Sequence, residues 1–167
     1  MMTRTTAAPS QVDRVVGTDN LPAPVLRLSS LGCVDYGDWF SLATDVLASP
    51  EEWARAMFGN LPNATELLIW RGLLGFRVRR EGSHDLVAGW AITSRSTTSI
   101  RLEAESWFVA GNLVVHASEG RVSLGTFLRY DRALARAVWT PLAAVHRRVA
   151  PGLLRDAEAA ILRTDDH

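Results

Sequence analysis

The chain has 167 residues, of which 47% are hydrophobic, and this is typical of one globular domain rather than a disordered segment. Its 18 basic residues, all of them arginine, balance 18 acidic ones, so it lacks the basic excess of most nucleic-acid-binding proteins and any lysine for Schiff-base chemistry. The single cysteine, Cys33, excludes a disulfide framework within the chain and a metal site built on several cysteines.

The N-terminal part of the chain is predicted to be an arm rather than a targeting signal. The residues MMTRTTAAPS lack the apolar core of a secretory signal, and no apolar run approaches the length of a membrane span. We therefore expect a soluble, cytoplasmic protein. Residues 1–24, rich in Thr, Ala, Pro and Asp, predict a flexible arm, followed by a single domain over residues 25–167.

The first part of this domain is predicted to contain one strand and two short helices. The aromatic segment Cys33–Leu42 is typical of a strand, and Cys33 is expected to be a small buried residue at its start. Ser49–Glu52 is a strong helix start, because it combines a cap, a proline at the first helical position and a capping box. The spacing of apolar residues predicts a second helix over Asn63–Gly75.

The second half of the chain predicts an antiparallel sheet. Four strand-like segments follow one another at short intervals: Leu86–Thr93, Ser99–Glu105, Trp107–His116 and Arg121–Tyr130. Strands this close in sequence must pair antiparallel, because a parallel pair needs a long crossover. Apolar residues alternate with Arg and Glu, so we expect one covered face and one face exposed to water.

The residues after Asp131 predict an amphipathic helix that covers the apolar face of this sheet. Its apolar stripe contains Leu134, Ala135, Val138, Trp139, Leu142, Val145, His146 and Val149. Pro141 and Pro151 lie within it, and each could either kink one long helix or begin a new one, with Thr140 as a possible cap. The fold class is therefore α+β, with a curved antiparallel sheet gripping a long C-terminal helix.

This order of elements resembles the START-like (SRPBCC) superfamily and its helix-grip fold. The sequence pieces that carry the resemblance are SPEEWARAMF, LVAGWAI, VSLGTFLRYD and VWTPLAAVHRRV, which together cover about residues 34–150. The superfamily includes polyketide cyclases and proteins that bind lipids and hormones. Within it, the chain is similar to a bacterial family of unsettled function, whose members also occur as a C-terminal module behind NAD(P)-binding, reductase-like domains. The resemblance implies the fold and points to binding of a small hydrophobic ligand.

Five residues are candidates for a ligand site between the sheet and the last helix: Trp90, Thr126, Tyr130, Trp139 and His146. His146 could be a general acid or base in a cavity, or a buried histidine bonded to a carbonyl or a nearby acid. Thr126 and Tyr130 could present polar tips to a ligand, or fill the core with their tips bonded to backbone. The tryptophans could line a cavity or simply fill the core.

Three functions are compatible with these residues. The first is a module that binds a small apolar or amphipathic molecule. The second is an enzyme of the cyclase or dehydratase type, in which His146 and Tyr130 would be acid–base partners and would have to lie close together. The third is an interaction module for a partner such as a separately encoded reductase, which an exposed apolar patch at Trp107 and Phe108 would favour.

The sequence predicts neither a metal site nor a bound cofactor. His116 and Glu119 lie across a turn, with no second pair of ligands at a useful spacing. Glu103 and Glu105 share a strand face with an arginine and are expected to form a solvated ladder of ion pairs rather than a catalytic pair. The chain also lacks the glycine-rich strand–turn–helix fingerprint of a dinucleotide site.

Overall fold

The structure, a computed structural model, describes residues 11–59, 68–79 and 82–165. The strands in these ranges are β1 Val12–Val16, β2 Tyr36–Ala43, β3 Leu86–Val87, β4 Trp90–Arg95, β5 Ser99–Glu105, β6 Val109–Ser118 and β7 Arg121–Tyr130. The α-helices are α1 Ala23–Leu26, α2 Pro50–Phe58 and α3 Ala133–Asp165. A short 3-10 helix covers Thr18–Asn20, and a π-helical turn covers Leu68–Leu73.

The strands form one open antiparallel sheet in the order β1-β2-β7-β6-β5-β4-β3. After β2 the chain passes through α2 to the far edge of the sheet, and it then returns strand by strand until β7 pairs with β2. This pairing places Asp38 of β2 directly opposite Thr126 of β7. The predicted α+β class is confirmed, with α3 packed against the sheet.

The prediction of one strand over Leu86–Thr93 is wrong, because this segment folds as a hairpin. Val87 pairs with Trp90, and the two residues between them, Ala88 and Gly89, have positive φ angles of 48° and 83°. Two positive φ angles in a two-residue loop match the right-handed twist of the flanking strands, which explains the reversal.

The predicted start of α2 is confirmed in detail. The backbone N–H of Glu52 donates to Oγ of Ser49 at 3.2 Å, and the backbone N–H of Ser49 donates to Oε2 of Glu52 at 2.7 Å. This reciprocal pair satisfies two amide groups that would otherwise lack partners at the helix start. The beginning of the second predicted helix lies outside the described residues, and its described end is the π-helical turn Leu68–Leu73.

The outer face of the sheet is covered at its centre, so the prediction of a fully wet face is wrong. Phe127 and Val114 point outward and are 0% and 1% exposed, because Leu21 packs on them. Leu21 follows β1, which pairs with β2, so part of the expected N-terminal arm is an edge strand. Residues 12–34 thus cover apolar surface that α3 does not reach.

Cys33 does not occupy the buried position expected for it. Its side chain is exposed, and β2 begins only at Tyr36, whose pairing with Leu128 opens the ladder to β7. Cys33 therefore precedes the sheet and lies in the bend that leads into it.

The last helix, α3, is continuous over 33 residues and contains both Pro141 and Pro151. Thr140 does not cap a new helix; its hydroxyl donates to the carbonyl of Arg136 at 2.7 Å. Three small residues of α3 face the sheet and α2 and are completely buried: Ala135, Ala150 and Ala157. None of the helices in the described part of the chain has both the length and the apolar character needed to cross a membrane.

Candidate functional site

A cavity of about 310 Å³ lies between the sheet and α3. Its walls come from five parts of the fold: the strands β4, β6 and β7, the helix α3, the end of α2, the π-helical turn, and the segment that follows this turn. Fourteen of the sixteen described lining residues are apolar or aromatic, and Thr126 and His146 are the two exceptions. The apolar ones are Phe58, Ile69, Trp70, Leu74, Phe76, Trp90, Leu113, Leu124, Leu128, Trp139, Leu142, Val145, Val149 and Leu153.

The open side of the cavity runs along α3. Val145 and Val149 line the cavity and are 52% and 50% exposed, whereas Leu124 and Leu128 on the opposite wall are almost completely buried. An apolar molecule can therefore reach the interior past two valine side chains.

A polar cluster interrupts the apolar wall where β2, β7 and α3 meet. Nε2 of His146 lies 3.0 Å from Oδ2 of Asp38 and 3.1 Å from Oγ1 of Thr126. The hydroxyl of Tyr36 donates to the same Oδ2 at 2.5 Å. Tyr36 and Asp38 point to the same face of β2, because side chains two apart on a strand share a face. The register of β2 and β7 places Thr126 beside them.

The hydrogen bonds of this cluster fix the proton on the imidazole of His146. An ionised carboxylate only accepts, so Oδ2 of Asp38 takes one proton from Tyr36 and another from Nε2 of His146. In the neutral ring Nδ1 then carries a lone pair and no proton. Nδ1 makes no hydrogen bond with any residue in the described ranges.

Aromatic rings surround the Asp38–His146 pair. The ring centroids of Trp139 and Phe40 lie 5.6 Å and 6.2 Å from that of His146, and Tyr36 packs edge-on against Trp139 at 5.2 Å. Asp38 is 0% exposed. Water is therefore kept from the carboxylate of Asp38, and its interaction with His146 is stronger than it would be at the surface.

The environment of Tyr36 stabilises its neutral form. Burial raises the pKa of the phenol well above its usual range, and the charge and hydrogen bond of Asp38 raise this pKa further. Arg147 acts in the opposite direction but does not outweigh them. The hydroxyl thus remains a hydrogen-bond donor to Asp38 throughout the neutral range.

Three buried polar atoms have no hydrogen-bond partner among the described residues: Oδ1 of Asp38, Nε1 of Trp90 and Nε1 of Trp139. Most buried polar groups in proteins are bonded, so these three atoms are exceptions. Both tryptophans line the cavity with their rings, but their indole nitrogens are enclosed by the packed wall and do not open onto it.

Trp90 forms part of the aromatic wall. Its ring lies edge-on to Trp70 at 5.4 Å and to Phe76 at 5.2 Å, and its side chain is 3% exposed. Edge-to-face contacts of this type stabilise aromatic clusters beyond the area that they bury.

The structure brings together four of the five candidate residues. Trp90, Thr126, Trp139 and His146 line the cavity. Tyr130, at the end of β7, is not among the lining residues. The guanidinium of Arg136 lies over the ring of Tyr130, with its Cζ atom 5.8 Å from the ring centroid. His146 is held by an acid and a hydroxyl rather than by a backbone carbonyl, and its described partners do not include Tyr130.

Asp38 and Tyr36 belong to this site, although sequence reasoning did not select them. A signal was present, because Asp38 is in phase with Phe40 and Leu42, both 0% exposed, along β2. A carboxylate on the buried face of a strand requires a partner, and such a position therefore indicates a polar network. The partner itself comes from α3, which only the tertiary structure reveals.

The other candidate features lie away from the cavity. Trp107 is 66% exposed, but Phe108 beside it is 4% exposed. Of the two residues whose exposure would favour an interaction role, only Trp107 therefore presents its ring to solvent. Glu103 pairs with Arg101 of its own strand at 2.8 Å and also accepts a hydrogen bond from the hydroxyl of Ser30, so this pair is half-buried rather than fully solvated as expected. Within the described ranges, no group of three or more His, Cys, Asp or Glu side chains is arranged to hold a metal ion.

Comparisons of the chain with protein-family models, with curated proteins and with solved structures gave no match. The chemistry of the cavity is therefore what indicates a function for this chain.

Proposed function

We propose that this protein has a helix-grip fold of the START-like type and binds a small apolar or amphipathic molecule in the cavity between the sheet and α3. The observation that carries the proposal is an apolar cavity with a single polar cluster in its wall. Ligand sites usually combine a mostly apolar lining with a few polar groups that fix orientation. A core that only stabilised the fold would gain by filling this space.

The size of the cavity limits the ligand. Its volume of about 310 Å³ is at the lower end of the roughly 300–1,000 Å³ typical of small-molecule sites. A compound of one or two aromatic rings, or a short acyl chain, fits this range. Each 100 Å² of apolar surface removed from water contributes about 2.5 kcal/mol before the costs of association are subtracted.

Thermal melting with a panel of small apolar compounds tests the proposal. The panel contains naphthalene, indole and medium-chain fatty acids. A compound present at 100 times its Kd should raise Tm by about 5–10 °C, because it binds only the folded state. A panel in which no compound raises Tm contradicts the proposal.

A second candidate function is acid–base catalysis of the cyclase or dehydratase type. The observation in its favour is the carboxylate of Asp38 on Nε2 of His146, since a buried acid that orients an imidazole is a recurrent catalytic arrangement. In this reaction Asp38, rather than Tyr130, would be the acid–base partner of His146. The test is dehydration of an aromatic β-hydroxyketone, followed by ultraviolet absorbance. His146→Gln should lower the rate about 100-fold or more, and a wild-type rate equal to that of buffer rules the activity out.

A further inference from the structure

We infer that the cavity selects apolar molecules that carry a hydroxyl group, and that this hydroxyl donates a hydrogen bond to Nδ1 of His146. The inference rests on the proposed ligand binding and adds the polar group that the ligand must carry. Asp38 acts through His146 as a positioning residue and does not touch the ligand.

One imidazole nitrogen of His146, Nε2, already has partners in the protein. Nε2 is 3.0 Å from Oδ2 of Asp38 and 3.1 Å from Oγ1 of Thr126, so it is occupied on the side of the sheet. Asp38 is itself held by the hydroxyl of Tyr36 and by the ladder between β2 and β7. These contacts favour the orientation of the imidazole in which Nε2 faces Asp38 and carries a proton.

The other imidazole nitrogen of His146, Nδ1, remains for a ligand. His146 lines the cavity and its side chain is 19% exposed, while Nδ1 has no partner among the described residues. In the neutral ring with the proton on Nε2, Nδ1 offers a lone pair and nothing else. A ligand can use it only by donating a hydrogen bond.

Among the groups that a ligand could bring to Nδ1, a neutral hydroxyl suits this cavity best. A ketone or an ester offers no donor, and a charged ammonium group would lose its hydration in a cavity with fourteen apolar lining residues out of sixteen. A neutral hydroxyl donates at little desolvation cost.

The test compares two probes of similar shape, 1-naphthol and 1-methylnaphthalene, by calorimetric titration. Both should bind the wild-type protein, and 1-naphthol should bind about fivefold more tightly, as expected for one net hydrogen bond. His146→Leu should abolish this preference, so that the two probes bind the variant with equal affinity. His116→Leu is the matched control; His116 lies on β6 against Trp39, outside the cavity, and its loss should leave the preference intact.

Asp38→Asn tests the positioning role with a nearly isosteric change. In the wild-type protein, the ¹⁵N spectrum of His146 should show Nδ1 as the unprotonated nitrogen. Because an amide can either donate or accept, Asp38→Asn should mix the two tautomers and reduce the preference for 1-naphthol. Retained binding of 1-methylnaphthalene verifies that the variant is folded. An unchanged ¹⁵N spectrum together with an unchanged preference overturns the role of Asp38.

The remaining outcomes separate this inference from the proposed function. Equal affinity of the two probes for the wild-type protein leaves ligand binding in place and overturns the selection for a hydroxyl. A preference that survives in His146→Leu overturns the role of His146. Failure of both probes to bind overturns the proposed function and the inference with it.

Discussion

Nε2 of His146 lies 3.0 Å from Oδ2 of Asp38, and this contact joins α3 to the buried face of β2. His146→Ala removes the only donor that α3 is seen to give Asp38, and it leaves a carboxylate that is 0% exposed with the hydroxyl of Tyr36 as its described side-chain donor. We expect the free energy of unfolding to fall by about 3–5 kcal/mol, as for other broken buried pairs. Urea denaturation of the two proteins measures this difference.

The control for this variant is a pair at the surface. Asp13→Asn removes the partner of Arg121, 3.9 Å away, and both side chains of this pair are more than half exposed. Its effect should stay below about 1 kcal/mol, because solvent screens such pairs. A loss from His146→Ala no larger than that of the control would mean that the Asp38–His146 contact contributes little to the fold.

The mouth of the cavity offers a second prediction. Val149→Trp places a large ring at a lining position that is 50% exposed, so the ring can block access without entering the core. We expect ligand binding to be lost while the free energy of unfolding changes by less than about 0.5 kcal/mol. Leu134→Trp is the matched control on α3, because Leu134 is 44% exposed and does not line the cavity. Equal loss of binding in both variants would disprove access at Val149.

Alkaline pH should unfold the protein through its two tyrosines, Tyr36 and Tyr130. Burial raises the pKa of both phenols in the folded state. Their contribution to stability is therefore complete below about pH 10, the ordinary value, and is lost as the pH rises above it, because only the unfolded chain then releases these protons. Tyrosinate absorbance should appear together with unfolding. Ionisation of both tyrosines near pH 10 in a protein that stays folded would contradict this expectation.

The outer face of the sheet supplies a fourth prediction. Gly125 of β7 lies beneath the ring of Trp39, and a Cβ atom at this position would be 2.6 Å from Cε3 of that ring. We expect Gly125→Ala to destabilise the protein by about 1–3 kcal/mol, because the ring must move. Gly32→Ala is the control, since nothing lies within 4 Å of the added atom. Thermal melting measures both, and two equal Tm values would contradict the packing described here.

Local patterns in the sequence predicted the elements that depend on neighbouring residues. The capping box at Ser49 and Glu52 requires only four consecutive residues, and the alternation along β5 requires only one buried face. The stripe of α3 likewise predicted that Trp139 and His146 face the sheet. These features follow from periodicity, which is a property of short segments.

The polar cluster could not be predicted in the same way, because it depends on tertiary topology. Asp38 meets Thr126 only because the chain crosses to β3 before it returns to β7, and it meets His146 only through the packing of α3. The covering of Phe127 by Leu21 depends on the same kind of long-range contact. Sequence periodicity gives the face of each residue but not the residue that it meets.

The most direct test of ligand binding in the cavity uses the indole N–H signals of the tryptophans in a ¹H–¹⁵N spectrum. Trp90 and Trp139 line the cavity, whereas Trp107 is 66% exposed and lies away from it. Addition of 1-methylnaphthalene should shift the signals of Trp90 and Trp139 in a saturable manner and leave that of Trp107 unchanged. Constant signals from Trp90 and Trp139 up to the solubility limit of the compound, or an equal shift of Trp107, would contradict binding in this cavity.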